Sequence, residues 1–156
     1  MFYSRLPALL SVACLTFATA THAEVRVEGP VEYGVFPSDY KEFKSGERIL
    51  GQAGRPMERT EFVPAKLGSK FGVRYQLSGK SKGEEPLTLL YLTPGVITPD
   101  GKRHDKFVVQ HEVAADVKND VMAYEFTETY EIVPGEWQFM VFQGDRKLLE
   151  QRFTVR

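Results

Sequence analysis

Three features of the chain predict an all-β fold, an antiparallel sandwich of about seven to eight short strands. Apolar residues recur at every second position in several segments. Gly, Pro and Asp turn signals separate those segments roughly every ten residues. No window of useful length carries a helical period. The alternation also favours antiparallel pairing, because an all-parallel sheet is covered on both faces and reads as unbroken apolar runs.

Residues 1–23 have the make-up of an export signal. Arg5 supplies one positive charge, Leu6 to Phe17 is an uncharged apolar run, and Ala18 to Ala23 is small and weakly polar. Thr21 and Ala23 place the expected cut after Ala23, with Ala20 as a second option. The apolar run is short for a bilayer span, and no charged stop-transfer flank follows it. Leu10-Ser11-Val12-Ala13-Cys14 has a faint likeness to a lipoprotein cleavage box. Ser11 stands where that box needs a large aliphatic, however, and the apolar run continues past Cys14. Residues 24–156 are therefore expected to form one exported domain, periplasmic or secreted. Cys14 is the only cysteine of the chain, so the domain relies on packing without disulfides, as is common in the bacterial periplasm.

Within that domain, Val31, Tyr33 and Val35 alternate with polar or small residues and predict a first strand. Pro37 to Thr60 is polar and glycine-punctuated, with isolated Tyr40, Phe43 and Ile49. A structureless stretch of that length is unusual in a compact domain. A further strand is expected near Lys44 to Leu50 or Met57 to Val63; otherwise the segment is a functional loop. Phe71, Val73, Tyr75 and Leu77 share one face of a strand, with Arg74 and Gln76 on the other. Ser78 to Gly83 reads as an exposed connection. Leu87 to Leu92 is nearly continuous apolar sequence and predicts a central strand covered on both faces.

Pro99-Asp100-Gly101 fits a tight turn, with Pro presetting one dihedral and Gly accepting the positive one. Val113 to Val121 is rich in Asp, Asn and Ala and reads as a loop. Tyr124, Phe126, Tyr130 and Ile132 share one parity, which assigns Glu125, Thr127, Thr129 and Glu131 to a solvent face. Val133-Pro134-Gly135-Glu136 has the Pro-Gly pair of a type II turn between strands. In the closing hairpin, Trp137, Phe139 and Val141 must face the same core as Leu149, Phe153 and Val155. That requires Val141 opposite Leu149 and Trp137 opposite Phe153. A three-residue loop, Gly144-Asp145-Arg146, delivers this pairing; a two-residue Gly-Asp turn would need a bulge.

Several blocks together resemble one family. They are Glu32-Tyr33-Gly34-Val35, Val63 through Tyr75, Glu131-Ile132-Val133-Pro134-Gly135-Glu136-Trp137, and Gly144 through Val155. The chain is similar over nearly all of its exported part to a family of bacterial exported proteins, domain of unknown function DUF3859. The resemblance implies an immunoglobulin-like β-sandwich and carries no assigned activity.

The chemistry-bearing residues are few. His104 and His111 are the only histidines outside the signal, and seven positions on a continuous strand set them on opposite faces. A metal site from His104, Asp105 and His111 would need a bend, and its spacing matches no known ligand pattern. Asp116 and Asp120 lack the alternating ligands and central Gly of a calcium loop. No Ser lies in a Gly-x-Ser-x-Gly turn, and no Gly-rich phosphate cradle precedes a helix. Glu125 and Glu131 lie six residues apart, roughly 20 Å on a strand, too far for a glycosidase pair. The reading is a non-enzyme with no catalytic residue and no cofactor.

Charge is balanced, 20 basic against 21 acidic residues, with no basic block for nucleic acid or a membrane surface. Most aromatics fall on the apolar parity of their strands and read as core. Tyr130 is a candidate for pinning the neighbouring turn through its hydroxyl. Tyr40, Phe43 and Phe142 are the aromatics expected to face solvent and contact a partner. The expectation is a monomeric periplasmic module that binds a protein or envelope component through loops or an open sheet edge. The alternative is a small-ligand or metal-binding protein.

Overall fold

The computed structural model describes residues 24–37 and 56–156. Within these, eight strands run in chain order: β1 (Arg26–Phe36), β2 (Phe62–Val63), β3 (Lys70–Ser78), β4 (Leu87–Ile97), β5 (Arg103–His111), β6 (Asp120–Glu125), β7 (Gly135–Gln143) and β8 (Arg146–Val155). A single 3-10 turn, Thr129–Glu131, lies between β6 and β7. The strands form two layers. One is three-stranded in the order β1-β3-β6, the other five-stranded in the order β2-β8-β7-β4-β5. All pairings are antiparallel except the short β2–β8 contact.

Period-two alternation places the core. Phe71, Val73, Tyr75 and Leu77 of β3 are buried, as their shared parity predicts. They meet Trp137, Phe139 and Val141 of β7 and Leu149, Phe153 and Val155 of β8 from the opposite layer. Phe71 sits at the centre. Its ring lies 5.2 Å from both Phe139 and Phe153, 5.4 Å from Phe126 and 5.8 Å from Trp137. The mixed tilted, edge-on and offset arrangements suit the ring quadrupoles and fill space densely.

The closing hairpin reaches the predicted pairing by a different route. Gln143 pairs with Arg146, so the loop is the two-residue Gly144-Asp145, and Gly144 takes φ +55°. A register shift between Val141 and Phe142 then restores Val141 opposite Leu149 and Trp137 opposite Phe153. The bulge supplies the extra residue that the loop does not. The segment Met57 to Val63 contributes only β2 and an isolated bridge, Glu58 to Val35. The other proposed strand, Lys44 to Leu50, lies outside the described residues.

Two expectations are corrected. The run Leu87 to Leu92 is not covered on both faces: Leu87, Leu89 and Tyr91 are buried, whereas Thr88, Leu90 and Leu92 are half-exposed. β4 is central in hydrogen-bond order, between β7 and β5, but its outer face carries no second layer among the described residues. The segment Tyr124 to Ile132 is not one strand. β6 ends at Glu125 and the 3-10 turn resets the parity, so Glu131 is 1% exposed and points inward.

At the other end of β6, the Ser78–Gly83 connection sends Lys80 inward. Its Nζ lies 2.9 Å from Asp120, with side chains 6% and 2% exposed, and also donates to the Val117 carbonyl. A pair this dry is held in register by mutual need, since removal of either partner strands a charge.

The central ring is the test of this packing. Phe71→Ala is expected to lower unfolding free energy by about 3–5 kcal/mol, measured by urea denaturation with the m-value unchanged.

Candidate functional site

The unequal layers create the site. β5 ends the larger sheet and β6 ends the smaller one, and both ends lie on the same side of the sandwich. Tyr124 of β6 meets Tyr91 of β4 and Phe107 of β5, each with ring centroids 5.9 Å apart. Beyond Phe107 the larger sheet continues past the cover of the smaller one. The result is a shallow apolar groove lined chiefly by Leu89, Tyr91, Phe107, Val109, His111 and Tyr124.

Alternation explains its lining. Phe107, Val109 and His111 stand opposite Tyr91, Leu89 and Leu87, all core-facing. Lys106, Val108 and Gln110 alternate with them on the outer face. Val109 is 44% exposed and Val108 53%, so β5 shows apolar side chains to solvent on both faces. On the opposite wall, the Ala123 carbonyl accepts the Tyr91 hydroxyl at 3.2 Å. The Met122 carbonyl is directed at β3, because a Cβ on Gly72 would lie 2.1 Å from it. The backbone of Val121 and Ala123 therefore addresses the side of β6 away from β3.

The predicted candidates are distributed as follows. Tyr40 and Phe43 lie outside the described residues. Phe142 is half-buried on the outer face of the larger sheet, opposite Thr88 and Lys147. His104 and His111 are not on opposite faces. A register shift between Leu92 and Val96 sets His104 opposite the buried Val96, and its ring stacks on Phe107 at 5.5 Å. Both imidazoles thus turn to the core side of β5, but seven residues still separate them by roughly 23 Å along the strand.

His104 Nε2 lies 3.3 Å from the Thr98 hydroxyl, while Asp105 accepts from Arg103 Nε at 2.8 Å. Among the described residues, no three His, Cys, Asp or Glu side chains converge as a metal site.

Two buried polar groups escaped the sequence reading. Glu131 accepts hydrogen bonds from the Tyr124 hydroxyl at 2.9 Å, the Thr127 amide at 2.8 Å, the Thr127 hydroxyl at 3.1 Å and the Glu128 amide at 3.0 Å. It pins the turn for which Tyr130 was the candidate. The S/T-x-x-E-like spacing of Glu128 and Glu131 forms a capping box on the 3-10 turn, and that spacing was the available signal. Tyr75 is 1% exposed, and its hydroxyl has no hydrogen-bond partner among the described residues. Burial first, then the Asp120 carboxylate, pushes its phenol above the ordinary tyrosine range.

An immunoglobulin-like β-sandwich with an apolar seam between its two sheets is the class that this geometry defines. The chain belongs to the family described as domain of unknown function DUF3859, whose profile matches residues 24–155. It is similar to an immunoglobulin-like protein from Pseudomonas aeruginosa with a solved crystal structure. The two share 55% identity with a TM-score of 0.76, over 88% of this chain and all of that one. Alkylpurine DNA glycosylase AlkC from Pseudomonas fluorescens aligns at 14% identity and a TM-score of 0.44, over 86% of this chain and 31% of that one. A superposition that loose carries no argument. No curated protein matches the chain.

Two substitutions probe these groups. Glu131→Gln keeps the shape but offers one neutral carbonyl oxygen where two charged ones accept four hydrogen bonds, and is expected to cost about 1–3 kcal/mol in denaturant unfolding. Tyr75→Phe removes a polar atom that has no partner to lose and is expected to be neutral or stabilising by up to about 1 kcal/mol. The sign with pH follows from the raised phenol. Its stabilisation is full below about pH 10, where unfolded tyrosine is still protonated, and is lost as pH rises beyond it. Tyr75→Phe should therefore soften the alkaline limb of the stability curve.

Proposed function

We propose that the protein is an exported, non-catalytic binding module that takes a protein or cell-envelope component along the open side of its sandwich. The observation that carries this reading is the groove between β5 and β6, where exposed Val109 joins an apolar lining and exposed Val108 stands on the other face of the same strand. Soluble domains seldom leave apolar side chains on both faces of a terminal strand unless something covers them. An extended segment suits the place. It could add main-chain hydrogen bonds at a strand edge while every second side chain enters the groove.

A small apolar ligand is the second reading. The groove is lined largely by apolar side chains, with Gln110 and His111 supplying polar groups at its mouth.

Export through a cleaved signal at residues 1–23 is part of the proposal. Cell fractionation is expected to find the protein in the periplasm, with N-terminal sequencing starting at Glu24; a cytosolic chain retaining Met1 refutes export. A photo-reactive side chain at Val109 is expected to cross-link a defined partner in intact cells, whereas one at Thr154 on β8 does not. Val109→Lys should abolish that cross-linked or co-purified species. Native mass spectrometry separates the second reading, which requires a small-molecule adduct that Val109→Lys removes.

A further inference from the structure

The β5 edge discriminates between possible strands by its own order of residues. Its regular stretch reads Lys106-Phe107-Val108-Val109-Gln110-His111, preceded by Asp105. Phe107, Val109 and His111 face the core side, while Lys106, Val108 and Gln110 face outward. A strand laid antiparallel against it must put apolar groups beside Phe107, Val108 and Val109. It must also keep like charges away from Lys106 and Asp105.

We propose that a second copy of β5 is that strand, paired antiparallel about a twofold axis through Val108. This rests on the edge-binding reading above and names its partner. Centred on Val108, the pairing sets Phe107 opposite Val109 twice, on the core side of both copies. Val108 meets Val108 on the outer face. Lys106 lies opposite Gln110 and Asp105 falls at the level of His111, so no like charges face each other.

Neighbouring registers that keep the same faces aligned are worse. An axis through Val109 loses both Phe107–Val109 pairs, setting Phe107 opposite His111, and pairs only five residues of each β5 before the strand ends at His111. An axis through Lys106 sets two lysines opposite each other. An axis through Phe107 sets Lys106 against Val108 and Asp105 against Val109, leaving charges beside apolar groups. A register slipped by one residue turns the core side of one copy against the outer side of the other.

The product is a ten-stranded continuous sheet with both three-stranded layers on one side. Seven paired residues on each copy make a small, weak contact, so the pair is concentration-dependent. It covers the exposed valines that a lone chain leaves in water. It replaces the expected monomer with a reversible dimer.

Analytical ultracentrifugation of the full chain, purified as the cell processes it, tests this directly. The weight-average mass is expected to rise from one chain toward two with concentration. Val108→Lys places two ammonium groups across the axis and is expected to weaken association roughly tenfold. Its thermal melting should stay unchanged, because the side chain is half in solvent.

The register has its own test in a Cys14→Ala background. Val108→Cys is expected to form an interchain disulfide under mild oxidation, since opposed Cβ atoms approach to about 5 Å. Lys106→Cys should not, because the two copies of that position are roughly 13 Å apart. A single-chain mass up to the solubility limit overturns the proposal, as does a dimer that Val108→Lys leaves intact or that cross-links through position 106. A monomer that still loses its cellular cross-link on Val109→Lys sinks the self-pairing while leaving the partner-binding module standing.

Discussion

Phe71 joins the two layers, and most of the architecture depends on that contact. It stands on the middle strand of the smaller sheet and touches rings from β7 and β8 of the larger one as well as Phe126. A fully buried ring contributes a large apolar area without needing a polar partner. In a chain whose only cysteine is Cys14, this packing substitutes for the inter-sheet disulfide that braces many sandwiches of the same shape. Trp137 reinforces it while satisfying its indole N–H on the Val133 carbonyl at 3.0 Å. The Pro-Gly turn before β7 is thereby tied to the core that β7 enters.

The ends of the sandwich are secured by polar groups that the core alone could not place. Glu131 holds the 3-10 turn against Tyr124, and Lys80 with Asp120 holds the β3–β4 connection against the start of β6. Both devices flank the same short strand. β6 is six residues long and pairs on one side only, with β3, so its position depends on what clamps its two ends. A wall of the groove is therefore fixed by buried electrostatics at either end and by aromatic contact in the middle.

What the sequence made legible was parity. Phe71, Val73, Tyr75 and Leu77 read as one face and are one face, and the hairpin pairs Trp137 with Phe153 as its apolar pattern demands. Three of the errors share one physical origin, irregular backbone that shifts the parity count. A bulge after Val141 replaces the longer loop, the shift near Leu92 turns His104 toward the core side, and the 3-10 turn buries Glu131. Burial of both faces of Leu87 to Leu92 was misjudged for another reason. Apolar composition does not say whether a third layer exists, and here Leu90 and Leu92 lie under none among the described residues. The groove itself was invisible, because it depends on which strands end each sheet. That is a property of non-local order, with β5 and β6 brought to one side only by the finished topology.

The mismatch of three strands against five has a consequence that follows from geometry alone. Two stacked sheets of equal width can cover each other's inner faces, but a narrower sheet must leave part of the wider one open. Here the uncovered part falls at β5 rather than on the far side, where Arg146 reaches across to the Val25 carbonyl at 2.7 Å and draws the start of β1 over β8. Tyr124 covers Phe107, and Val109, farther along β5, is thus the apolar inner residue that sheet order places beyond cover. A strand with charged residues at one end and apolar residues through its middle is poorly protected against pairing, because gatekeeping charges act only on the residues they stand opposite. In β5 the charges occupy positions 103 to 106 and the valines follow. An antiparallel neighbour can therefore offset the charges and still bring the apolar centres together.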